Sequence, residues 1–187
     1  WLSDTIAAIA TAPGEAGLCI VRMSGPDALK IADKVFSGHS QPSIFQSHTV
    51  HYGYIVDSVS KDQVDEVLVT IMHKPRTYTC EDVVEISGHG GMRPGTRILE
   101  AVIVAGARLA GPGEFTKRAF LNGRVDLLQA EAVAEIIRGR TDAAHRAGLR
   151  QLNGDFSRSI NEYRGKYLDL LALIEVGIDF TEEDIPE

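Results

Sequence analysis

Short apolar runs alternate with turn-forming residues along the first part of the chain. Six of these runs are rich in aliphatic and β-branched residues and have the length of strands. They cover residues 5–11, 18–23, 49–56, 66–72, 83–87 and 107–110. Two helical patterns interrupt them: one follows Ser24 and extends to Phe36, and the other spans about 95–105. This order predicts an α+β fold in which helices cover one face of a mixed sheet.

The pattern becomes helical after residue 118 and remains so. Helices are predicted over about 126–139, from Thr141 or Asp142 to Leu152, and from about Asp155 onward. In the last helix, apolar residues recur at steps of three or four, at Phe156, Ile160, Tyr163, Tyr167, Leu170 and Ile174. We therefore predict an α+β domain at residues 1–118 and an all-α helical segment at 119–187. Because these helices are amphipathic, we expect the segment to expose apolar surface.

The run from Gly113 to Ala132 joins turn signals, basic residues and a helix start. Lys117 and Arg118 stand among apolar residues and need partners if they are buried. Asn122-Gly123 is a turn pair, and Asp126 with Gln129 forms a capping-box pattern. This places Arg124 beside a helix N-terminus, where a guanidinium could help to hold a carboxylate or phosphate. A solvated loop arginine is the alternative.

Two charged residues interrupt predicted strands that are otherwise apolar. Arg22 lies in Leu18–Met23 and Glu85 lies in Val83–Ser87. A charge in a strand buried on both faces is costly unless it is paired or opens into a cleft. A structural ion pair would explain both residues. A binding site would as well, because a carboxylate can accept two N–H donors from a flat heterocycle and a guanidinium can contact its carbonyls.

Composition indicates a soluble globular protein that can hold one large domain or two small ones. Of the 187 residues, 44% are hydrophobic and 24% are charged, and no apolar run is long enough to cross a bilayer. Cys19 and Cys80 are far apart, which suits a reduced, cytoplasmic protein without disulfides. The net charge of −7 argues against unaided binding to bare RNA, although arginines at 138–164 form a mild basic band on a predicted helix face. Because the chain starts at Trp1 and ends in a charged string, we expect a piece of a longer protein.

Sequence motifs for common catalytic centres are missing. The six histidines lack ligand spacing, so no metal site is predicted. No Walker A motif, no GxGxxG after a strand and no Gly-x-Ser-x-Gly elbow occurs in the sequence. We therefore assign no catalytic residue and no GTPase site to this chain.

Four ordered blocks resemble the MnmE (TrmE) family of tRNA modification GTPases. The run GEFTKRAFLNGRVDLLQAEA at 113–132 is similar to the family's GEFTxRAFLNGKxDLxQAEA segment. DTIAAIATAPG at 4–14, GLCIVRMSG at 17–25 and YTCEDVVEISGHGG at 78–91 are similar to three further family blocks. The agreement extends in order over the whole chain, so the resemblance covers an N-terminal domain and the first helices of a helical domain.

The resemblance implies a function that this chain would share with a longer protein. Family members are cytoplasmic homodimers with an N-terminal folate-binding-domain-like domain, a helical domain and an inserted GTPase domain. The N-terminal domain mediates dimerisation and binds 5-formyl-tetrahydrofolate as a one-carbon donor. With the FAD-dependent partner MnmG, the family places an aminomethyl-type group on C5 of the wobble uridine in tRNA. GTP, potassium and magnesium act in the full-length protein, and no membrane is involved.

The resemblance assigns the folate contacts to Arg22, Glu85 and Arg124. The family usually has lysine at the position of Arg124, so the positive charge is kept while its geometry changes. Cys80 stands where the family usually has glycine, and Met92-Arg93 replace a proline-containing region. An interaction module with a vestigial folate pocket is the first alternative. A stand-alone folate-dependent one-carbon transferase is the second, and it lacks a catalytic base in the sequence.

Overall fold

The computed structural model describes residues 3–179, and these divide between Arg124 and Val125 into two compact units. Within the described residues, the first unit contains seven strands, three α-helices and a short 3-10 helix at Pro42–Ile44, and the second contains three α-helices. The strands are β1 (Ile6–Ile9), β2 (Leu18–Ser24), β3 (Phe36–Gly38), β4 (Thr49–Val56), β5 (Gln63–Met72), β6 (Val83–His89) and β7 (Arg108–Leu109). The helices are α1 (Ala28–Val35), α2 (Met92–Val104), α3 (Glu114–Leu121), α4 (Leu127–Arg138), α5 (Asp142–Leu152) and α6 (Asp155–Asp179).

The first unit is built on one seven-stranded sheet in the order β3-β4-β5-β6-β2-β1-β7. All neighbouring strands are antiparallel except β1 and β7, which are parallel. The sheet is therefore mixed, as predicted. Strand β2 lies between β1 and β6, so residues of β2 and β6 occupy the middle of the sheet and are paired on both sides.

The hydrophobic core lies on one face of this sheet, under α1 and α2. Alternate residues of β2 and β6 point toward it: Val21 and Met23 from β2, and Val84 and Ile86 from β6, are at most 1% exposed. Helix α1 contributes Ile31 and Val35, and α2 contributes Ile98 and Val102. Because side chains alternate between the two faces of a strand, Arg22 and Glu85 must point to the opposite face. The α+β prediction with helices over one face is confirmed.

Two short elements were not predicted. Phe36 begins β3 and does not extend α1, and its ring lies over the backbone of Gly53: a Cβ on Gly53 would come 2.5 Å from the ring. Glycine at position 53 thus makes room for the aromatic side chain. Helix α3 has eight residues between Gly113 and Asn122. The structural division falls after Arg124 and not after residue 118, because α3 buries Arg118 and Ala119 within the first unit.

The second unit is helical throughout its described part. Asp126 caps α4 through a capping box with Gln129, and Thr141 caps α5, both as predicted. The side chain of Gln151 bonds the Leu128 carbonyl at 3.0 Å and that of Gln129 bonds the Leu152 carbonyl at 2.8 Å, which ties the two helices together. A Cβ on Gly148 would meet Ile136 at 2.7 Å, so close helix packing explains this glycine. The apolar residues Phe156, Ile160, Tyr163, Tyr167, Leu170 and Ile174 of α6 are exposed, as expected.

Candidate functional site

Arg22 and Glu85 form an ion pair in the middle of the sheet. They are directly opposite each other in the antiparallel register of β2 and β6. The Nε and Nη2 atoms of Arg22 lie 2.7 and 2.6 Å from the same oxygen, Oε1 of Glu85. Their side chains are 31% and 21% exposed, so the pair opens to solvent. None of the described residues donates to Oε2 of Glu85, which leaves one carboxylate oxygen available to a donor from a ligand.

Tyr78 brings the third candidate residue to this pair. The guanidinium carbon of Arg22 lies 6.0 Å from the centre of the Tyr78 ring, and that of Arg124 lies 5.0 Å from it. Arg124 also donates from Nη1 to the Tyr78 carbonyl at 3.2 Å. Phe115 of α3 is the second aromatic neighbour of Arg22, at 5.7 Å. Arg22 and Arg124 therefore lie beside one tyrosine, and Glu85 is joined to them through its ion pair with Arg22, although the three residues come from distant parts of the sequence.

Arg124 is exposed, yet its side chain has a defined direction. Gly123 precedes it with a φ of 73°, a left-handed conformation that glycine adopts without strain. The Arg124 amide donates to the Ala119 carbonyl at 2.9 Å, which closes the end of α3. The Asn122-Gly123 turn thus forms as predicted and directs Arg124 toward Tyr78. The side chain contacts the Tyr78 carbonyl and the Tyr78 ring while it remains exposed to solvent.

The loop that carries Tyr78, residues 77–82, is fastened at several points. Ser24 bonds both Thr79 and Glu81 through its hydroxyl, each at 2.6 Å. Asn122 donates from Nδ2 to the Thr79 carbonyl at 2.6 Å. Cys80 has a φ of 59°, which is a left-handed conformation that costs a residue with a Cβ about 1–2 kcal/mol. This conformation gives a physical reason why the family that the sequence resembles usually has glycine at the position of Cys80.

Arg118 of α3 is the centre of a second, buried charge cluster. Its side chain is 1% exposed. Nη2 lies 2.6 Å from Asp4 and 3.2 Å from Glu114, and Nη1 lies 3.1 Å from Glu81 and 2.8 Å from the Asp4 carbonyl. These contacts give Arg118 the partners that a buried cation needs. Within residues 3–179, Nε of Arg118 is left without a hydrogen-bond partner.

Strong hydrogen bonds keep the groups of this cluster charged. Arg108 contacts both Asp4 and Glu114 at 2.7 Å. The Arg108 guanidinium, and after it Arg118, lowers the pKa of Asp4 to about 2 against the opposing effect of burial. Arg108 likewise lowers the pKa of Glu114 to about 2, with further contributions from the Gly111 amide and Arg118. Burial opposes the charge of Arg118, but its carboxylate neighbours still raise its pKa above the ordinary value.

The face of the sheet that carries Arg22 and Glu85 also has an exposed apolar row. Register places Tyr52 opposite Leu68, Leu68 opposite Ser87, and Ser87 opposite Ile20. The side chains of Tyr52 and Leu68 are 56% and 46% exposed. The next row along the strands contains Arg22 and Glu85, about 7 Å away at the two-residue repeat of a strand. The open sheet face therefore combines an apolar row with the charged pair.

In the turn after β6, Gly90 lies so close to another backbone segment that a residue with a Cβ would not fit. His89 binds Asp65 through its ring at 2.7 Å and through its amide at 2.8 Å. A Cβ on Gly90 would lie 1.7 Å from the Ala16 carbonyl oxygen, which is impossible without moving the backbone. The His-Gly-Gly segment is thus a tight connection beside β2, and it does not contact the three candidate residues.

Sequence reasoning does not reveal the place of Tyr78 in the candidate site or the contacts of Arg118 in the buried cluster. The sequence gives no signal for the position of Tyr78, and it indicates Arg118 only as a cation that needs partners. Glu114 and Arg118 are four positions apart, and this i,i+4 spacing is a usable signal for the helix.

The basic band of the second unit is exposed at all six of its arginines: Arg138, Arg140, Arg146, Arg150, Arg158 and Arg164. Across the described residues no group of three or more metal-ligating side chains occurs, and no helix has the length and hydrophobicity of a membrane span.

The fold and the site define a two-unit class of protein, in which a mixed-sheet α+β unit precedes a helical unit. The family model described as "GTP-binding protein TrmE N-terminus" matches residues 5–124, and the model described as "MnmE helical domain" matches residues 127–187. The chain therefore belongs to the MnmE (TrmE) family.

Curated relatives agree with this assignment. The chain is 52% identical to the tRNA modification GTPase MnmE of Alkaliphilus oremlandii, with 100% of this chain and 41% of the relative covered. It is 55% identical to the protein of the same name from Thermoanaerobacter sp. (strain X514), with 98% and 40% covered. For the MnmE of Listeria innocua the identity is 52%, with 97% and 39% covered. The chain spans about two fifths of the length of these relatives.

Proposed function

We propose that the first unit binds 5-formyl-tetrahydrofolate at Arg22, Glu85 and Arg124. The observation that carries this proposal is that Arg22 and Arg124 both lie beside Tyr78 while Glu85 pairs with Arg22 on the open sheet face. The Oε2 atom of Glu85, to which none of residues 3–179 is seen to donate, would accept N–H donors of the pterin. The two guanidinium groups would contact its carbonyl or the glutamate carboxylates of the ligand.

We infer that the full-length protein acts in tRNA modification as a GTPase. Relatives that cover the whole chain carry the name tRNA modification GTPase MnmE, and this supports the inference. With the FAD-dependent partner MnmG, the protein would install an aminomethyl-type group on C5 of the wobble uridine in tRNA, in the cytoplasm. The folate would supply the one-carbon unit, and GTP hydrolysis with potassium and magnesium would drive the cycle.

We propose further that the open sheet face pairs with a second copy of the chain. In the apolar row, Tyr52 and Leu68 are exposed and Ile20 is half-buried, so the row offers water apolar surface that a second copy could cover. A second copy seated on this row would lie next to Arg22 and Glu85 and would partly close the folate site. Leu68→Lys should therefore shift the chain from dimer to monomer in analytical ultracentrifugation. Val59→Lys, at an exposed apolar residue outside the strands, is the matched control and should leave the dimer intact.

The folate proposal is tested by calorimetry with 5-formyl-tetrahydrofolate. Glu85→Ala should weaken binding by about a hundredfold, because charge-assisted hydrogen bonds contribute roughly 1.5–3 kcal/mol each. Glu66→Ala removes an exposed carboxylate from the same sheet face and should leave the affinity unchanged. Arg124→Lys, which introduces the usual family residue, should keep binding, whereas Arg124→Ala should reduce it.

Two outcomes would contradict parts of this proposal. If calorimetry detects no binding at millimolar folate, the first unit is better described as a dimerisation module with a vestigial folate pocket. An unchanged affinity of Glu85→Ala would refute the role assigned to this carboxylate.

The complete pathway is tested in cells that lack the gene and are complemented with full-length Glu85→Ala. These cells should accumulate unmodified wobble uridine, as measured by mass spectrometry of tRNA nucleosides.

A further inference from the structure

The position of Tyr78 depends on a loop in which side-chain hydrogen bonds add to a few backbone hydrogen bonds. Residues 77–82 connect two parts of the chain without forming a strand or helix. Thr77 bonds the Glu81 carbonyl at 2.7 Å and so closes the loop on itself. The carboxylate of Glu81 then accepts from Ser24 at 2.6 Å and from Arg118 at 3.1 Å. Glu81 is thus one of the points at which the loop is fastened to the rest of the unit, and it is the one that Arg118 contacts.

Arg118 holds Glu81 from a site that water does not reach. The guanidinium bridges Glu81 to Asp4 and Glu114, which belong to the start of the chain and to α3. Because the Arg118 side chain is 1% and that of Glu81 11% exposed, water has little access to the contact between them, and the planar fork fixes its direction. The same helix carries Thr116, which bonds the Tyr78 hydroxyl at 2.8 Å, and Phe115, which lies beside Arg22.

We propose that Arg118 is a positioning residue for the candidate folate site. It acts through Glu81 to fix the loop, so that the Tyr78 carbonyl meets Arg124 and the Tyr78 ring lies between Arg124 and Arg22. Arg118 does not itself face the ligand. The effect on ligand binding rests on the proposed function, whereas the effect on Tyr78 does not.

A matched pair of substitutions separates positioning from general stability. Arg108 shares Asp4 and Glu114 with Arg118 but does not contact Glu81. Arg118→Lys keeps the charge and removes the fork that reaches Glu81, and Arg108→Lys makes the same change beside it. Both variants should lower the thermal midpoint. Only Arg118→Lys should displace Tyr78.

The position of Tyr78 can be followed by NMR of the whole chain with ring-labelled tyrosine. The chain has five tyrosines, and Tyr78→Phe assigns the resonance. Arg118→Lys should move or broaden this resonance, while Arg108→Lys leaves it in place. Equal Tyr78 spectra for the two lysine variants would overturn the proposal. If Arg118→Lys does not fold, Glu81→Gln takes its place, since it removes the charge link and leaves Arg118 paired with Asp4 and Glu114.

Calorimetry with 5-formyl-tetrahydrofolate then tests the consequence for the site. Arg118→Lys should weaken binding about tenfold, whereas Arg108→Lys should keep the affinity within about twofold, comparable with the scatter of surface substitutions. If Arg118→Lys moves Tyr78 but leaves the folate affinity unchanged, the ligand does not need Tyr78 in this position. That result would overturn the role of Arg118 in binding. Failure of the unmodified chain to bind folate would refute the proposed function alone, because the NMR comparison still decides whether Arg118 places Tyr78.

Discussion

The Arg118 cluster and the Arg22–Glu85 pair are built from the same types of side chain and differ in their exposure. Arg118 is buried and distributes its donors over three carboxylates and a carbonyl. Arg22 directs two nitrogen atoms at one oxygen of Glu85 and remains accessible to solvent. The first arrangement serves the fold. The second leaves an acceptor oxygen in reach of a ligand, so incomplete pairing at an accessible position, and not charge alone, distinguishes the candidate site.

The largest expected difference between the two clusters lies in stability. Arg118→Met would leave the carboxylates of Glu81 and Glu114 without this cation in a buried setting, which should lower the free energy of unfolding by about 3–5 kcal/mol. Arg22→Met removes a partly exposed pair and should lower it by roughly 0–1 kcal/mol. Urea denaturation followed by circular dichroism measures both. Equal losses for the two variants would remove the distinction between a structural and an accessible cluster.

A smaller effect concerns the pH dependence of the Arg118 cluster. The folded-state pKa of Glu114 is lowered from 4.5 to about 2, and that of Asp4 from 3.8 to about 2. A depressed carboxylate pKa stabilises the fold above the ordinary pKa, and this contribution is lost as the pH falls toward the folded-state value. The free energy of unfolding should therefore decrease between about pH 4.5 and pH 2.

Two variants test the origin of that pH dependence. Glu114→Gln removes one of the two groups, so the slope of stability against pH should become shallower in this window. Arg108→Met removes the largest cause of both pKa shifts and should flatten the slope as well. Denaturant titrations at several pH values provide the measurement. A slope identical to that of the unmodified chain in both variants would mean that other carboxylates govern acid unfolding.

The two clusters also differ in how well the sequence predicts them. Arg22 and Glu85 interrupt apolar strands, and this local contrast was sufficient to select both residues. The capping box of α4 was equally visible, because Asp126 and Gln129 are three positions apart. For Arg118 the only local signal is its i,i+4 spacing from Glu114, since its other partners Asp4 and Glu81 lie 114 and 37 positions away.

Contacts between residues far apart in the sequence also explain why other features of the structure were not predicted. Tyr78 belongs to a loop whose conformation is set by Ser24 and Asn122, and neither its ring position nor its contact with Arg124 follows from local pattern. Helix α3 was hidden because its two basic residues interrupt a short apolar pattern between two turn signals. Periodicity therefore predicted the sheet, its covering helices and the charged strand residues, while the elements that join them depend on tertiary pairing.

The smallest expected effect is at Cys80, in the loop that connects the two clusters. Its left-handed conformation costs a residue with a Cβ about 1–2 kcal/mol, while glycine adds an entropic cost of roughly 0.5–1 kcal/mol in the unfolded chain. Cys80→Gly should therefore stabilise the first unit by about 0.5 kcal/mol. Cys80→Ala keeps the Cβ and removes only the thiol, so it should give no gain. If both variants were stabilised equally, the thiol and not the backbone conformation would be the source of strain in the loop that holds Tyr78.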